Sequence, residues 1–80
     1  MPKLKRLTAK QVLAILTQFG FVIASRRGSH IKLTRVVQGQ KQILTIPIHT
    51  ELDTGTSKAI MRQASRYISP EELYPHFYSE

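Results

Sequence analysis

The alternation of apolar and polar residues in the first half of the chain predicts one helix followed by three strands. Thr8 followed by Gln11 is typical of a helix start, because each side chain can bond to the backbone N–H of the other residue. The apolar residues between 9 and 19 fall on one face of that helix, and Gly20 is placed to end it. Segments rich in β-branched or alternating residues then predict strands over residues 21–26, 30–37 and 42–46.

The second half of the chain predicts two more helices. Residues 55–57 precede a segment whose apolar residues recur at helical spacing as far as about residue 66 or 67. Ser69-Pro70, followed by two glutamates, is typical of a helix N-terminus, and we expect a short helix from there through about Leu73.

These elements predict an α+β fold in the order α-β-β-β-α, with two helices covering one face of a three-stranded antiparallel sheet and a short C-terminal helix added. In the second strand His30, Lys32 and Thr34 share one face, while Ile31 and Leu33 share the other. We therefore expect an open, polar sheet face that displays His30 and Lys32 to solvent.

Length and composition indicate one small domain. Eighty residues, 41% of them hydrophobic, provide a single core. The chain has no cysteine, which excludes disulfides, thiolate nucleophiles and cysteine zinc sites. No apolar run is long enough to span a bilayer, and the N-terminus lacks the apolar stretch of a signal peptide. We therefore expect a soluble, cytoplasmic protein with no membrane association.

The charge is unevenly distributed and points to a polyanionic partner. Twelve basic residues against five acidic ones give a net charge of +7. All five acidic residues lie after residue 50, so that every Lys, Arg, Asp or Glu among the first fifty residues is a Lys or an Arg. Such segregation is typical of a protein that binds nucleic acid, although a small basic domain can also simply be soluble.

Histidine is the residue type left for acid–base chemistry near neutral pH, and the chain has three histidines. The basic half contains no carboxylate to hold Mg²⁺, and the spacing of the histidines matches no zinc site. We therefore expect no metal and no small-molecule cofactor, and acid–base chemistry that depends on histidine.

Residues 25–30 form the densest group able to bind phosphate. Arg26 and Arg27 can hold phosphate through forked hydrogen bonds, Gly28 permits close approach of the backbone, and Ser29 can donate its hydroxyl. His30 begins the second strand. It is either an ordinary polar surface residue or a base that takes the proton from a ribose 2′-hydroxyl.

The other candidate residues lie further along the chain. His49 closes the third strand and either bonds to backbone at the sheet end or serves as a second acid or base. His76 lies in the acidic tail, and we expect it at the surface. A basic stripe is formed by Lys58, Arg62 and Arg66, which recur every four residues. The stripe either faces solvent or contacts phosphates, together with free backbone donors at Thr56 and Ser57 at the start of the helix.

Four blocks of sequence together resemble the HicA (YcfA-like) toxin family. They are Gly20-Phe21, Arg26 to His30, Ile46 to His49, and Gly55-Thr56 followed by Ile60 to Ala64. The resemblance covers about residues 7–68, which we take as the core of a single domain, 1–80, with residues 69–80 as a C-terminal extension. It implies the fold of double-stranded-RNA-binding domains, a ribonuclease that cleaves messenger RNA, and a HicB-type antitoxin as partner. It also implies that His30 is the catalytic histidine.

These inferences together predict the toxin of a type II toxin–antitoxin system, acting as a metal-independent endoribonuclease. His30 is the expected general base, and Lys32 or His49 the expected proton donor. Attack by a ribose 2′-hydroxyl would exclude DNA as a cleavage substrate. The residues expected to bind RNA phosphates are Arg26, Arg27, Gly28, Ser29, Lys32, Lys58 and Arg62.

Two other function classes fit the same charge. A non-catalytic module that binds structured RNA would need the basic surface but no histidine. A DNA-binding regulatory subunit is disfavoured, because no helix-turn-helix spacing is present and the basic residues lie largely on predicted strands. The antitoxin is expected to cover the His30 face with an acidic surface, since complementary charge speeds association.

Overall fold

The computed structural model describes residues 3–79. Its helices are α1 (Ala9–Gln18), α2 (Thr54–Ala64) and α3 (Pro70–Phe77). Its strands are β1 (Lys3–Leu4), β2 (Val22–Arg27), β3 (His30–Val37), β4 (Gln40–Pro47) and β5 (Tyr78–Ser79). The predicted α+β class is confirmed, and the order from α1 to α2 is compatible with the fold of double-stranded-RNA-binding domains.

The strands β2, β3 and β4 form one antiparallel sheet with β3 at its centre. β3 pairs with β4 along its whole length, beginning with His30 opposite Pro47. β2 pairs with β3 from Arg27 opposite His30, and a bulge interrupts the register between Ile23 and Ser25. His30 is therefore held between two strands at one end of the sheet.

Both hairpin turns require backbone in the left-handed region. Gly28, in the turn before β3, has a φ of 57°. In the turn between β3 and β4, Gln38 and Gly39 have φ values of 51° and 78°. Two successive positive φ angles give the kind of tight turn whose twist matches that of the paired strands. The turns therefore fix the register that places alternate residues of β3 on opposite faces.

The core lies between one face of the sheet and the helices. Leu33, Leu44 and Ile46 supply its sheet side and are buried. Val12 and Leu16 of α1 pack against this face and are fully buried. The predicted capping box is present, since the N–H of Gln11 donates to Thr8 Oγ1 over 3.1 Å and the N–H of Thr8 donates to Gln11 Oε1 over 2.9 Å.

Arg35 of β3 joins the sheet to the ends of both long helices. Its guanidinium donates to the carbonyl oxygens of Phe19, after α1, over 2.6 Å and Tyr67, after α2, over 2.9 Å. It also donates to Gln42 Oε1 over 2.6 Å and lies 4.7 Å from the centroid of the Phe21 ring. At Phe19, the C-cap of α1, the positive charge therefore meets the negative end of a helix dipole.

The start of α2 differs from the prediction. Residues 55–57 do not precede the helix but lie within it, because Asp53 is the N-cap. The N–H of Thr56 donates to Asp53 Oδ1 over 2.7 Å, and the N–H of Ser57 donates to the carbonyl oxygen of Asp53 over 2.9 Å. The expectation of free backbone donors at Thr56 and Ser57 is therefore wrong. Hydrogen bonding from Thr56 also holds the pKa of the Asp53 carboxyl below its usual value of 3.8.

The C-terminal helix is longer than predicted, and it packs on the body. α3 continues to Phe77 although Pro75 lies inside it, whereas the sequence predicted an end near Leu73. Leu73 and Phe77 are fully buried in the same core as α1 and the sheet. Beyond α3, β5 pairs with β1, a two-stranded sheet that no periodic pattern predicted.

Candidate functional site

The outer face of the sheet carries a groove at the end where β3 begins. We call it the His30 groove. Its volume is about 710 Å³. Its lining comes from all three strands of the sheet: Ser25, Arg26, Arg27, His30, Lys32 and Thr45. Four residues that the sequence placed at the site, His30, Arg26, Arg27 and Lys32, therefore meet in one groove.

Strand pairing explains why Arg27, His30 and Lys32 converge. Arg27 is paired with His30, and Lys32 is paired with Ser25 on one side and Thr45 on the other. Paired residues in an antiparallel sheet point to the same face, so these five residues face the solvent side. Arg26 is instead paired with Ile31, a residue of the core face, and lines the groove from the edge strand β2. Thr45 was not singled out from the sequence, because its place beside Lys32 depends on the register between β3 and β4.

The imidazole of His30 is exposed and has one hydrogen-bonding contact in the described part of the chain. Its Nδ1 lies 3.4 Å from Ser29 Oγ. When Nδ1 carries the hydrogen and donates it to Ser29, the Nε2 lone pair is free to accept a proton. The geometry thus permits the ring to act as a base towards a group bound in the His30 groove.

The turn before His30 is bonded to the end of β4 at Ser29 and is open to solvent at Gly28. The carbonyl oxygen of Ser29 accepts a hydrogen bond of 2.6 Å from the N–H of Ile48, which ties the turn to the end of β4. At Gly28 nothing lies within 4 Å of the position that a Cβ would occupy. The backbone there is accessible to a ligand, and its φ of 57° disfavours any residue with a side chain.

The charge of the groove is not neutralised by the residues around it. Among residues 3–79 the one ion pair joins Arg6 and Glu51, over 3.6 Å, and both side chains are largely exposed. No carboxylate is therefore paired with Arg26, Arg27 or Lys32 in that part of the chain. Three cations beside an exposed imidazole favour a phosphate ligand.

The sequence-predicted residues Lys58 and Arg62 do not line the His30 groove. They are exposed on α2 and line a second groove of about 340 Å³, between α2 and the C-terminal segment. We call it the tyrosine groove. Its other lining residues include Met61, Ser65, Tyr74 and Tyr78. Arg66 lies beyond the end of α2 and lines neither groove.

The two remaining histidines occupy different surroundings. His49 is exposed after β4, and its carbonyl oxygen accepts a hydrogen bond of 3.2 Å from the N–H of Ala9. It does not line the His30 groove. His76 is half-buried rather than a simple surface residue, because its ring packs edge-on against Phe19 with 5.4 Å between the ring centroids.

Two kinds of feature are absent from residues 3–79, a cluster of metal ligands and a membrane-spanning helix. No group of three or more His, Asp or Glu side chains within residues 3–79 is arranged to hold a metal ion. None of the described helices has the length and apolar character needed to cross a membrane.

Comparison with known proteins identifies the family. The profile described as HicA toxin of bacterial toxin-antitoxin matches residues 9–65, from the start of α1 to just past the end of α2. Comparison with curated proteins and with solved structures finds no match. The matched range contains the whole His30 groove and excludes α3 and β5. The family implies an antitoxin as partner. Because the profile covers well over half of the chain, the chain belongs to the HicA toxin family of bacterial toxin–antitoxin systems.

Proposed function

We propose that this toxin is an endoribonuclease that cleaves messenger RNA in the cytoplasm, with His30 as general base and without a metal ion. One observation carries the proposal. The exposed ring of His30 shares a groove with Arg26, Arg27 and Lys32, and no described carboxylate pairs with these cations. The same groove therefore offers both a base and the positive charge that a phosphodiester attracts.

The proposed reaction is a transesterification within the RNA. His30 Nε2 takes the proton from a ribose 2′-hydroxyl, and the 2′-oxygen forms a bond to the adjacent phosphorus. The bond from phosphorus to the 5′-oxygen breaks, and that oxygen receives a proton from Lys32 or His49. Lys32 is favoured as the donor because it lines the same groove and His49 does not. The products are a 2′,3′-cyclic phosphate and a 5′-hydroxyl.

The remaining residues of the site bind and orient the phosphates. Arg26 and Arg27 stabilise the charge that develops on the phosphoryl oxygens. Gly28 and Ser29 form the anchored turn on which the phosphate rests, and the backbone at Gly28 is open to it. Lys58 and Arg62, on α2, contact phosphates further along the RNA.

A HicB-type antitoxin is proposed to inhibit the toxin by covering the outer face of the sheet. Acidic residues of the antitoxin would lie opposite the His30 groove, where Arg26, Arg27 and Lys32 are exposed. The other half of the face carries exposed apolar side chains, Val22 and Ile43, paired on either side of Thr34. The antitoxin would cover these with apolar residues.

Cleavage of end-labelled RNA by the purified protein tests this proposal. His30→Ala is expected to lower the rate about 100- to 10,000-fold, the range for loss of a general base. Because the ring is exposed and makes one contact, the variant is expected to keep the parent's urea midpoint and its RNA affinity. EDTA is expected to leave the parent rate unchanged. Lys32→Ala and His49→Ala, compared in the same assay, identify the proton donor.

Two results would contradict the proposal in different ways. If His30→Ala cleaves as fast as the parent, the assignment of the base is wrong. If the parent binds RNA and yields no fragments, the alternative of a non-catalytic module for structured RNA is supported instead.

A further inference from the structure

The tyrosine groove combines cationic and aromatic side chains from two parts of the chain. Lys58 and Arg62 come from α2, Tyr74 comes from α3 and Tyr78 from β5. None of the described residues that line it carries a carboxylate. Its aromatic half lies outside the residues matched by the HicA family, so it is a feature of this chain's own C-terminal segment.

Tyr74 is exposed, and its ring packs against a second aromatic ring. The side chain is 46% exposed. The ring of Tyr78 packs against it with 5.5 Å between the ring centroids and 52° between the planes. Tyr78 is itself half-buried and paired through its backbone with Leu4. A ring supported in this way loses little conformational freedom when a flat ligand stacks on it.

We propose that the tyrosine groove binds one unpaired nucleotide of the RNA, with its base stacked on Tyr74 and its phosphate bound by Lys58 and Arg62. The choice of RNA as ligand rests on the proposed function. Stacking of bases on aromatic side chains beside a cationic track is the general way in which proteins bind unpaired nucleic acid. An apolar peptide is disfavoured, because the lining has two aliphatic residues, Met61 and Pro70, of which Met61 is buried, and they lie beside two cations.

The helix that carries the cations of the tyrosine groove is bonded to the edge of the main sheet. Gln63, the residue after Arg62, receives a hydrogen bond of 2.8 Å from the N–H of Thr45 and donates one of 3.2 Å to its carbonyl oxygen. Thr45 lines the His30 groove and is paired with Lys32. This contact fixes α2, and with it Lys58 and Arg62, against the edge of the main sheet. A toxin that binds an unpaired nucleotide on α2 would prefer RNA that is not fully paired.

The test measures binding of the full chain to an unpaired oligonucleotide with 2′-O-methyl sugars, which has no free 2′-hydroxyl and cannot be cut. Tyr74→Leu is expected to weaken binding about tenfold, whereas Tyr74→Phe, which keeps the ring, is expected to bind as the parent does. Lys58→Ala is expected to weaken binding more than Lys10→Ala, a matched change on the exposed side of α1. Urea midpoints check that each variant is folded.

Specific results would overturn the proposal. The proposal is overturned if Tyr74→Leu binds the oligonucleotide as tightly as the parent does. It is also overturned if Tyr74→Leu loses as much affinity for a fully paired duplex as for the unpaired oligonucleotide. A loss of affinity for the antitoxin with none for the oligonucleotide would show that the groove is a protein contact. Failure of the parent to bind the oligonucleotide would overturn this proposal and leave the ribonuclease to be tested by cleavage of natural RNA. Binding without cleavage of natural RNA would overturn only the ribonuclease.

Discussion

Replacing Arg35 by alanine tests whether one side chain holds the sheet and both long helices together. The change removes three hydrogen bonds, of 2.6, 2.6 and 2.9 Å, and a contact with the Phe21 ring. Hydrogen bonds of charged groups contribute about 1.5–3 kcal/mol each when buried. Arg35 is half-buried, and water can replace part of what is lost, so the three bonds together are taken as about 3 kcal/mol.

A loss of this size is a large part of the total stability. A chain of this length unfolds with about 4–12 kcal/mol. For a domain of this size about 3 kcal/mol corresponds to a fall in Tm of roughly 12–24 °C. Urea unfolding followed by far-ultraviolet circular dichroism measures the free energy directly, and Arg35→Lys should recover only part of it, because an ammonium lacks the forked geometry.

Arg66→Ala is the matched control. Arg66 is exposed beyond the end of α2, and its loss should change the free energy of unfolding by no more than about 0.5 kcal/mol. The reasoning is refuted if Arg35→Ala lowers the free energy of unfolding by less than about 1 kcal/mol, or if the two variants lose the same amount.

Two further predictions concern α2. Ser57 is buried, and its Oγ has no hydrogen-bond partner among the described residues. Ser57→Ala should therefore raise the free energy of unfolding by about 1 kcal/mol in urea titrations. A decrease would show that the hydroxyl has a partner. The folded-state pKa of Asp53 is lowered by its bonds to Thr56, so its stabilisation is fully present above the usual 3.8 and is lost as the pH falls through the lowered value. Asp53→Asn, which can cap without ionising, should therefore lose less stability on acidification than the parent, and identical pH profiles of Tm would contradict this.

The elements predicted correctly are those whose pattern is local. Alternation of apolar and polar residues in β3 gave the same bounds as the structure, and Thr8 and Gln11 marked the start of α1. The start of α2 was missed because Asp53 and Thr56 are both acceptable caps, and the choice between them depends on packing. β1 and β5 have two residues each, too few for any periodicity to appear.

The candidate site was predictable to the extent that its residues are neighbours in sequence. Arg26, Arg27 and His30 come from one hairpin, and the alternation of β3 placed Lys32 beside His30. The separation of Lys58 from this groove depends on where α2 lies against the sheet, which no local pattern encodes. The hydrogen bonds of Arg35 to the carbonyl oxygens of Phe19 and Tyr67 were also not predictable, because these partners are distant from Arg35 in sequence.

The two edges of the main sheet differ in how they resist self-association. At β4 the amide of Gln63 occupies the backbone groups of Thr45, which a strand from another molecule would otherwise use. At β2 every residue is exposed, and such an edge is a template for aggregation. The bulge there breaks the regular spacing, and two copies paired through β2 would bring the arginines of both, Arg26 and Arg27, into one short ladder. The positive charge that favours binding of a polyanion therefore also makes two copies of the chain repel each other at this edge.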